Sequence, residues 1–339
     1  MKVGKTIEIR NKKRRKEEFQ FFMHDFVDAC KAFGIPTRAD IFPWYKFHVR
    51  ALLKHAWLLL YGFLHDSCHF HFNRKEALIV TANGVTLEDM AFPYYASCEI
   101  IPMLWDVWPS TWERMYASFN LFDVKMVFVT SSQVAEMINQ RGRQKAYWIP
   151  EGINAQLYSS GDELKGRGHD VFEMGRQMKV YHDTLVNMFS DGVFKEYLTS
   201  NINDNGTLDD KHVKFSNEQL YQLMADTKVM VCFPQCDTNP LRGGHIETLT
   251  QRYWEAMLSR CLMVGRAPQE LIRLIGYNPV IEVDWDNPRE QLSNILDHID
   301  NYQELVDKNF EYARRYASWD HRMVMIKKIL NDNGYFFSK

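Results

Sequence analysis

Lys228-Val-Met-Val-Cys-Phe-Pro234, then Gly243-Gly-His-Ile-Glu-Thr-Leu-Thr-Gln-Arg-Tyr-Trp-Glu-Ala-Met257, then Cys261-Leu-Met-Val264 follow one another within 37 residues. The first piece is an apolar run stopped by proline and reads as a buried strand. In the second, Thr248 with Gln251 three positions on has the pattern of a capping box. That pattern starts a helix at Leu249, with Glu247 just outside it and Glu255 in its second turn. The third piece resumes as a strand. Strand, glycine-bearing loop, helix and strand in this order make a parallel βαβ unit, whose ligand edge lies beyond the carboxyl ends of its strands.

The two glutamates fall at that edge, eight residues apart. Such a pair arises by chance about once in a chain of this size, so its surroundings carry more weight than its spacing. A carboxylate ahead of the helix can accept a sugar hydroxyl, amides at the helix start can hold a diphosphate, and a carboxylate one turn further can accept from a ribose. Gly243, Gly244, Thr248 and Thr250 lie before or at the expected helix start. They are further candidates for contact with the diphosphate.

With these residues in place, the chain resembles the GT-B glycosyltransferases, in particular family 4-like enzymes with an E-x7-E motif. Asp170-Val-Phe-Glu-Met-Gly-Arg176 is similar to the first strand of that family's donor domain, which implies Arg176 as a phosphate-facing cation and Lys179 as a second one. Val213 to Thr227 is similar to the helix ahead of the motif, and Ala146-Tyr-Trp-Ile-Pro-Glu-Gly-Ile-Asn154 to the segment closing the amino-terminal domain. The likeness extends over roughly 125–330. There are departures: Lys179 lies three residues after Arg176 where many relatives have about five, and no Gly-Phe-Gly follows the first glutamate.

The resemblance implies an α/β chain of two Rossmann-like, doubly wound domains facing across a cleft. Strand runs at Ile7 to Ile9, Ala77 to Thr81, Cys98 to Trp105, Val124 to Thr130 and Tyr147 to Ile149 alternate with helical stretches, beginning with one at about Lys16 to Phe33. This alternation recurs after a polar segment. The expected division is an acceptor domain over 1–157, a linker at 158–169 and a donor domain over 170–319. The last helix, about 320–339, is expected to pack back on the first domain, as it does in the family.

The acceptor side is marked by Pro102-Met-Leu-Trp-Asp-Val-Trp-Pro-Ser-Thr-Trp112, a strand end with three tryptophans in eight positions. Two readings stand. Asp106 orients or deprotonates an acceptor hydroxyl beside rings that stack on sugars, or the rings are core and Asp106 caps a turn. The activity implied by the resemblance is transfer of a sugar from a nucleotide-diphosphate sugar, as co-substrate, to the hydroxyl of a carbohydrate or lipid-linked acceptor. It further implies retention of configuration, no metal and no other cofactor, and a place in polysaccharide or glycolipid synthesis. Glu247, Asp106 and Arg176 are then the candidates at the reacting centre, and Glu255, Arg176 and Lys179 those on the donor. A non-catalytic nucleotide- or sugar-binding protein of the same fold is the alternative. A dinucleotide enzyme ranks last, because no Gly-x-Gly-x-x-Gly turn follows the first strand.

Composition is consistent with this. A chain of 339 residues, 46% hydrophobic and 25% charged, can bury two cores, and a net charge of −2 excludes broad nonspecific nucleic-acid binding. Six scattered cysteines point to reduced thiols, and the charged amino terminus lacks the pattern of a signal peptide, so a cytoplasmic protein is expected. His65, Cys68, His69 and His71 cluster, yet zinc needs a second converging pair and none is visible, so no metal is expected. Arg10-Asn-Lys-Lys-Arg-Arg-Lys16 and the apolar Leu52 to Leu64 could each rest on an anionic membrane face. The favoured alternatives are a solvated charged turn and a buried core helix.

Overall fold

The computed structural model describes residues 2–3, 21–35, 47–68, 73–74, 76–92, 94–199 and 215–337. The expected strand at Ile7 to Ile9, the basic run 10–16, and His69 and His71 lie outside them. The chain forms two compact units, one of Met1–Pro150 with Trp319–Lys339 and the other of Glu151–Ser318.

The first unit holds four parallel strands in sequential order: β1 (Glu76–Asn83), β2 (Cys98–Trp105), β3 (Met126–Val129) and β4 (Lys145–Trp148). β1 and β2 pair over their full lengths, from Glu76 opposite Cys98 to Asn83 opposite Trp105. Their residues are buried almost throughout, as expected of parallel strands covered on both faces. Alternate side chains of the sheet, including Ile79, Ile101, Met103, Trp105 and Phe128, form one core with helix α1 (Phe21–Ala32). The same core takes in the last helix, Trp319–Asp332, through Trp319, Met323, Ile326 and Leu330. Phe26, Trp105 and Trp319 meet edge to face at centroid distances of 5.2–6.1 Å.

Helix α2 (Phe47–Cys68) attaches to this unit by a narrow face, with Leu58 and Tyr61 buried and Arg74 donating to the Tyr61 hydroxyl at 3.3 Å. The expectation of a buried core helix over Leu52 to Leu64 fails, because most of the large apolar side chains of that stretch are exposed.

The second unit is a five-stranded parallel sheet. Its strands are β5 (His169–Glu173), β6 (Tyr197–Thr199), β7 (Thr227–Cys232), β8 (Leu262–Gly265) and β9 (Val280–Glu282), in the order β9-β8-β7-β5-β6. Strand alternation separates two cores. Val171, Val229, Val231, Leu262 and Val264 face the helices Lys179–Ser190 and Pro288–Asp297, while Phe172, Met230, Cys232 and Met263 face Gln251–Leu258, Gln269–Ile275 and Gln303–Tyr316. Helices therefore cover both faces, and the sheet is doubly wound.

The expected linker 158–169 belongs to this unit instead, and the chain crosses from one unit to the other at Pro150–Glu151 and at Ser318–Trp319. The segment is polar in composition but anchored by two buried residues. Leu164 is fully buried, and the Arg167 guanidinium donates to the carbonyls of Asp162, Thr227, Ser259 and Ser160 at 2.7–3.0 Å. Burial lowers the Arg167 pKa below its ordinary value, and the four carbonyls replace the solvent it loses.

Candidate functional site: the switch point of the second sheet

After β5 the chain winds toward β6 on one side; from β7 it winds toward β8 and β9 on the other. The reversal between β5 and β7 makes their carboxyl ends the switch point, the place where doubly wound sheets bind ligands. Met174-Gly175-Arg176 leaves β5 at this edge, and the helix Gln251–Leu258, here α7 of the chain after the helices α3 (Trp112–Leu121), α4 (Ser132–Arg141), α5 (Lys179–Ser190) and α6 (Asn217–Ala225), begins beside it. Gly175 turns the chain at φ +71°, a left-handed region that favours glycine, and a Cβ there would lie 2.4 Å from Arg252 Nη2, so the turn and the guanidinium are close neighbours.

Arg252, in the first turn of α7, was not singled out in the sequence. Its hydrogen bond to Arg176 O is long, 3.5 Å, and its Nε is buried without a partner; among the described residues it makes no ion pair. A half-buried guanidinium without a carboxylate, at the switch point, is suited to an anionic ligand. The signal was available, since the first turn of a helix that starts at a ligand edge is where a cation meets an anion.

Glu255 sits in the second turn of α7, half-buried, and its Oε1 accepts from the Tyr158 hydroxyl at 3.1 Å. Tyr158 is itself braced edge-on by Tyr221 at 4.8 Å. Two further bonds fix the helix: Trp254 Nε1 donates to Glu151 O at 2.9 Å and Gln251 Nε2 to Gly152 O at 3.3 Å.

Glu247 is held on both oxygens, Oε1 by Arg266 Nη1 at 2.5 Å and Oε2 by the Gln269 amide at 2.8 Å. Arg266 directly follows β8 and grips Asp237 in a bidentate pair at 2.6 and 2.8 Å. Asp237 first and Glu247 second raise the guanidinium pKa above its ordinary value. This Asp237–Arg266–Glu247 bridge was also missed, although an arginine at the carboxyl end of a parallel strand stands at the ligand edge by position.

The expected capping box does not form. α7 begins at Gln251, with Thr250 at the N-cap position in extended conformation and without a side-chain bond. The Gln251 side chain is engaged elsewhere, its Nε2 donating to Gly152 O at 3.3 Å, and the Leu249 amide beside it donates to the buried Glu270 carboxylate. Thr248 is buried in that loop. Gly243 and Gly244 end a short helix (Pro240–Gly243) well before α7. A Cβ on Gly243 would approach the Cys236 backbone to 2.9 Å, and Gly244 turns the chain at φ +57°. Both therefore shape the loop and do not sit in the first turn of α7.

Lys179 opens α5 with its side chain 85% exposed, paired with Asp183 at 3.0 Å. Asp106 lies on the first unit, exposed, directly after β2 at φ +50°, a backbone region that is costly for a non-glycine residue. Of the neighbouring rings, Trp105 and Trp108 are buried; the reading of these as sugar-stacking rings gives way to core packing. Trp112 is half-buried.

One buried cluster lies directly beneath the Gly175–Arg176 turn. Glu173, the last residue of β5, is buried, and its Oε2 accepts from His182 Nδ1 at 2.5 Å and from the Tyr197 hydroxyl at 2.7 Å. That hydrogen bond raises the His182 pKa, outweighing the opposing effect of burial. Burial and the Glu173 charge raise that of Tyr197. Cavities of about 360 and 420 Å³ lie instead around His169, Asp226 and α6, at the opposite edge of the sheet. The six cysteines are free, and burial pushes the Cys232 and Cys261 thiols up to about 12. Among the described residues no group of three or more His, Cys, Asp or Glu side chains could hold a metal ion, and no helix is long and apolar enough to cross a membrane.

No protein-family profile matches the chain, and no curated protein does. Solved structures do. Alr3699/HepE from Anabaena in complex with UDP superposes with a TM-score of 0.56 at 12% identity, over 97% of this chain and 100% of that one. The same protein with UDP and glucose gives 0.53 at 10% identity over 97% and 100%, and with UDP-glucose 0.52 at 11% over 96% and 99%. At this identity the likeness shows the fold: two Rossmann-like domains of the GT-B class.

Proposed function

We propose that the chain is a glycosyltransferase that moves a sugar from a nucleotide-diphosphate sugar to an acceptor hydroxyl. The observation carrying this reading is the juxtaposition, at the switch point of the second sheet, of the Gly175–Arg176 turn with the Arg252 guanidinium, which makes no ion pair among the described residues and lies one turn ahead of Glu255. As the glycosidic bond breaks, charge grows on the leaving diphosphate. Cations already in place stabilise that charge more than they stabilise the ground state. Arg176 and Arg252 are assigned this role. Glu255, oriented by Tyr158, accepts from the ribose hydroxyls. Glu247 has both oxygens engaged but keeps lone pairs on each, enough to accept a sugar hydroxyl while held in place by Arg266.

Lys179 is a second-rank candidate, because its pairing with Asp183 must break before it can reach a phosphate. Asp106 is assigned to the acceptor. The reading extends to retention of configuration, to charge neutralisation by arginine with no metal required, and to a carbohydrate or lipid-linked acceptor in polysaccharide or glycolipid assembly. The fold shared with a protein crystallised with UDP and UDP-glucose makes a uridine diphosphate sugar the first donor to try.

A thermal-shift series with UDP-, GDP-, ADP- and CDP-sugars tests the donor, since a ligand of the folded state stabilises it by mass action, by about 2.7 kcal/mol at 100 times its Kd, and so raises the melting point. Release of the nucleoside diphosphate, followed by mass spectrometry of the acceptor, tests turnover. Absence of any shift overturns the donor site. A shift without turnover under a range of acceptors leaves the non-catalytic binding protein.

A further inference from the structure

Helix α2 presents two faces of opposite character. Lys54, Leu58, Tyr61 and His65, at spacings of four, three and four, face the body of the first unit: Leu58 and Tyr61 are buried, Lys54 pairs with Asp89, and His65 bonds Asp123 at 3.1 Å. Opposite them Leu52, Leu59, Leu60 and Phe63 are 70%, 63%, 50% and 64% exposed, flanked by Leu53 and Trp57. An apolar stripe of this kind is far from what a solvated helix shows.

We propose that this face lies in the surface of an anionic phospholipid bilayer, with α2 parallel to the membrane plane. Charge selects this occupant over a protein. Helix α2 carries Arg50 and Lys54 with His48, His55 and His65 against one acidic residue, Asp66 in its last turn, with Lys54 and His65 engaged on the body side by Asp89 and Asp123. The chain carries six further positive charges at Arg10 to Lys16. Exposed leucine, phenylalanine and tryptophan on a helix from a basic stretch of the sequence is the composition of helices held at the interface by apolar burial and anionic headgroups together. A single straight helix also offers a ridge rather than a pocket, which acyl chains can follow without a shaped partner. The inference does not rest on the proposed transferase activity.

Flotation of the full chain with vesicles of phosphatidylcholine alone, or with about one third phosphatidylglycerol, tests it. The wild type is expected to float with the anionic vesicles at least about tenfold more than with neutral ones, and Leu59→Glu with Phe63→Glu to lose at least about tenfold of that binding. Both sites are solvent-exposed, so the variant should keep the wild-type melting point and the same response to nucleotide, which separates this test from that of the donor site. Wild-type protein remaining at the bottom of the gradient overturns the proposal. So does a concentration-dependent dimer, seen by light scattering, that the same variant disperses, since a second copy would then cover the stripe.

Discussion

Arg252 tests the donor site most cleanly because it does so little for the fold. It contributes one hydrogen bond of 3.5 Å and no ion pair among the described residues. Arg252→Ala should therefore leave the melting point nearly unchanged while weakening nucleoside diphosphate binding by about 10–100-fold, the worth of one charge-assisted contact. Calorimetric titration decides; an equal affinity in the variant removes Arg252 from the site. The two glutamates divide differently. Glu255→Ala should weaken free nucleotide and nucleotide sugar alike, whereas Glu247→Gln should lower turnover more than nucleotide affinity, because Glu247 is tied to Arg266 and the Gln269 amide ahead of α7. Equal loss of free-nucleotide affinity in both variants refutes that division. His182 gives a pH signature. Its pKa in the folded chain is raised from the ordinary 6.5 by Glu173, so the stability it adds is fully present below the unfolded value and is lost as pH rises through the folded one. The melting-point advantage of wild type over His182→Ala should shrink as pH rises above the ordinary imidazole value of 6.5; an advantage that grows instead would mean that His182 is held neutral.

Among elements, the start of α7 marks where sequence pattern and structure part. The strands on either side, β7 and β8, and the parallel βαβ connection between them were legible in apolar runs bounded by proline and glycine, because burial on both faces leaves that signature. The helix start was not legible. Thr248 and Gln251 have the spacing of a capping box, yet the Gln251 side chain turns to Gly152 O, and the loop is held from outside through the Leu249 amide by Glu270 at the head of the helix Gln269–Ile275. That partner is 21 residues away in sequence, beyond any local pattern. Glu247 reaches the same helix head, through the Gln269 amide, so the loop 246–250 is clamped by two reciprocal bonds. Glu270→Ala should leave the buried Leu249 amide unsatisfied, at a cost of about 1–3 kcal/mol, and raise hydrogen exchange at that amide. Retained protection there would show that α7 is positioned by its Trp254 and Gln251 anchors alone. Arg252 was overlooked for a related reason: its role is visible only once Gly175, 77 positions earlier, is seen to make room for it.

For the whole molecule, strand–helix alternation pointed to two α/β units and the family resemblance to the return of the last helix, while neither marked the boundary at Pro150–Glu151. Composition marked 158–169 as a linker, but Arg167 binds four carbonyls from three separate stretches, and hydropathy cannot register a buried cation satisfied by backbone. The division has a functional consequence. Arg176, Arg252, Glu247 and Glu255 all belong to the unit Glu151–Ser318, and Asp106 to the other. If the donor is bound as proposed, nucleotide affinity is a property of the second unit alone, and chemistry on the acceptor needs the first. Asp106→Asn keeps the side-chain shape and tolerates the φ of +50°, so the strained turn after β2 should survive. The expected result is a nucleoside diphosphate Kd within about twofold of wild type together with a fall in transfer rate of about 100-fold or more, the scale of a lost general base. Parallel loss of nucleotide affinity would mean that the first unit helps hold the donor. An unchanged transfer rate would return Asp106 to the turn it shapes.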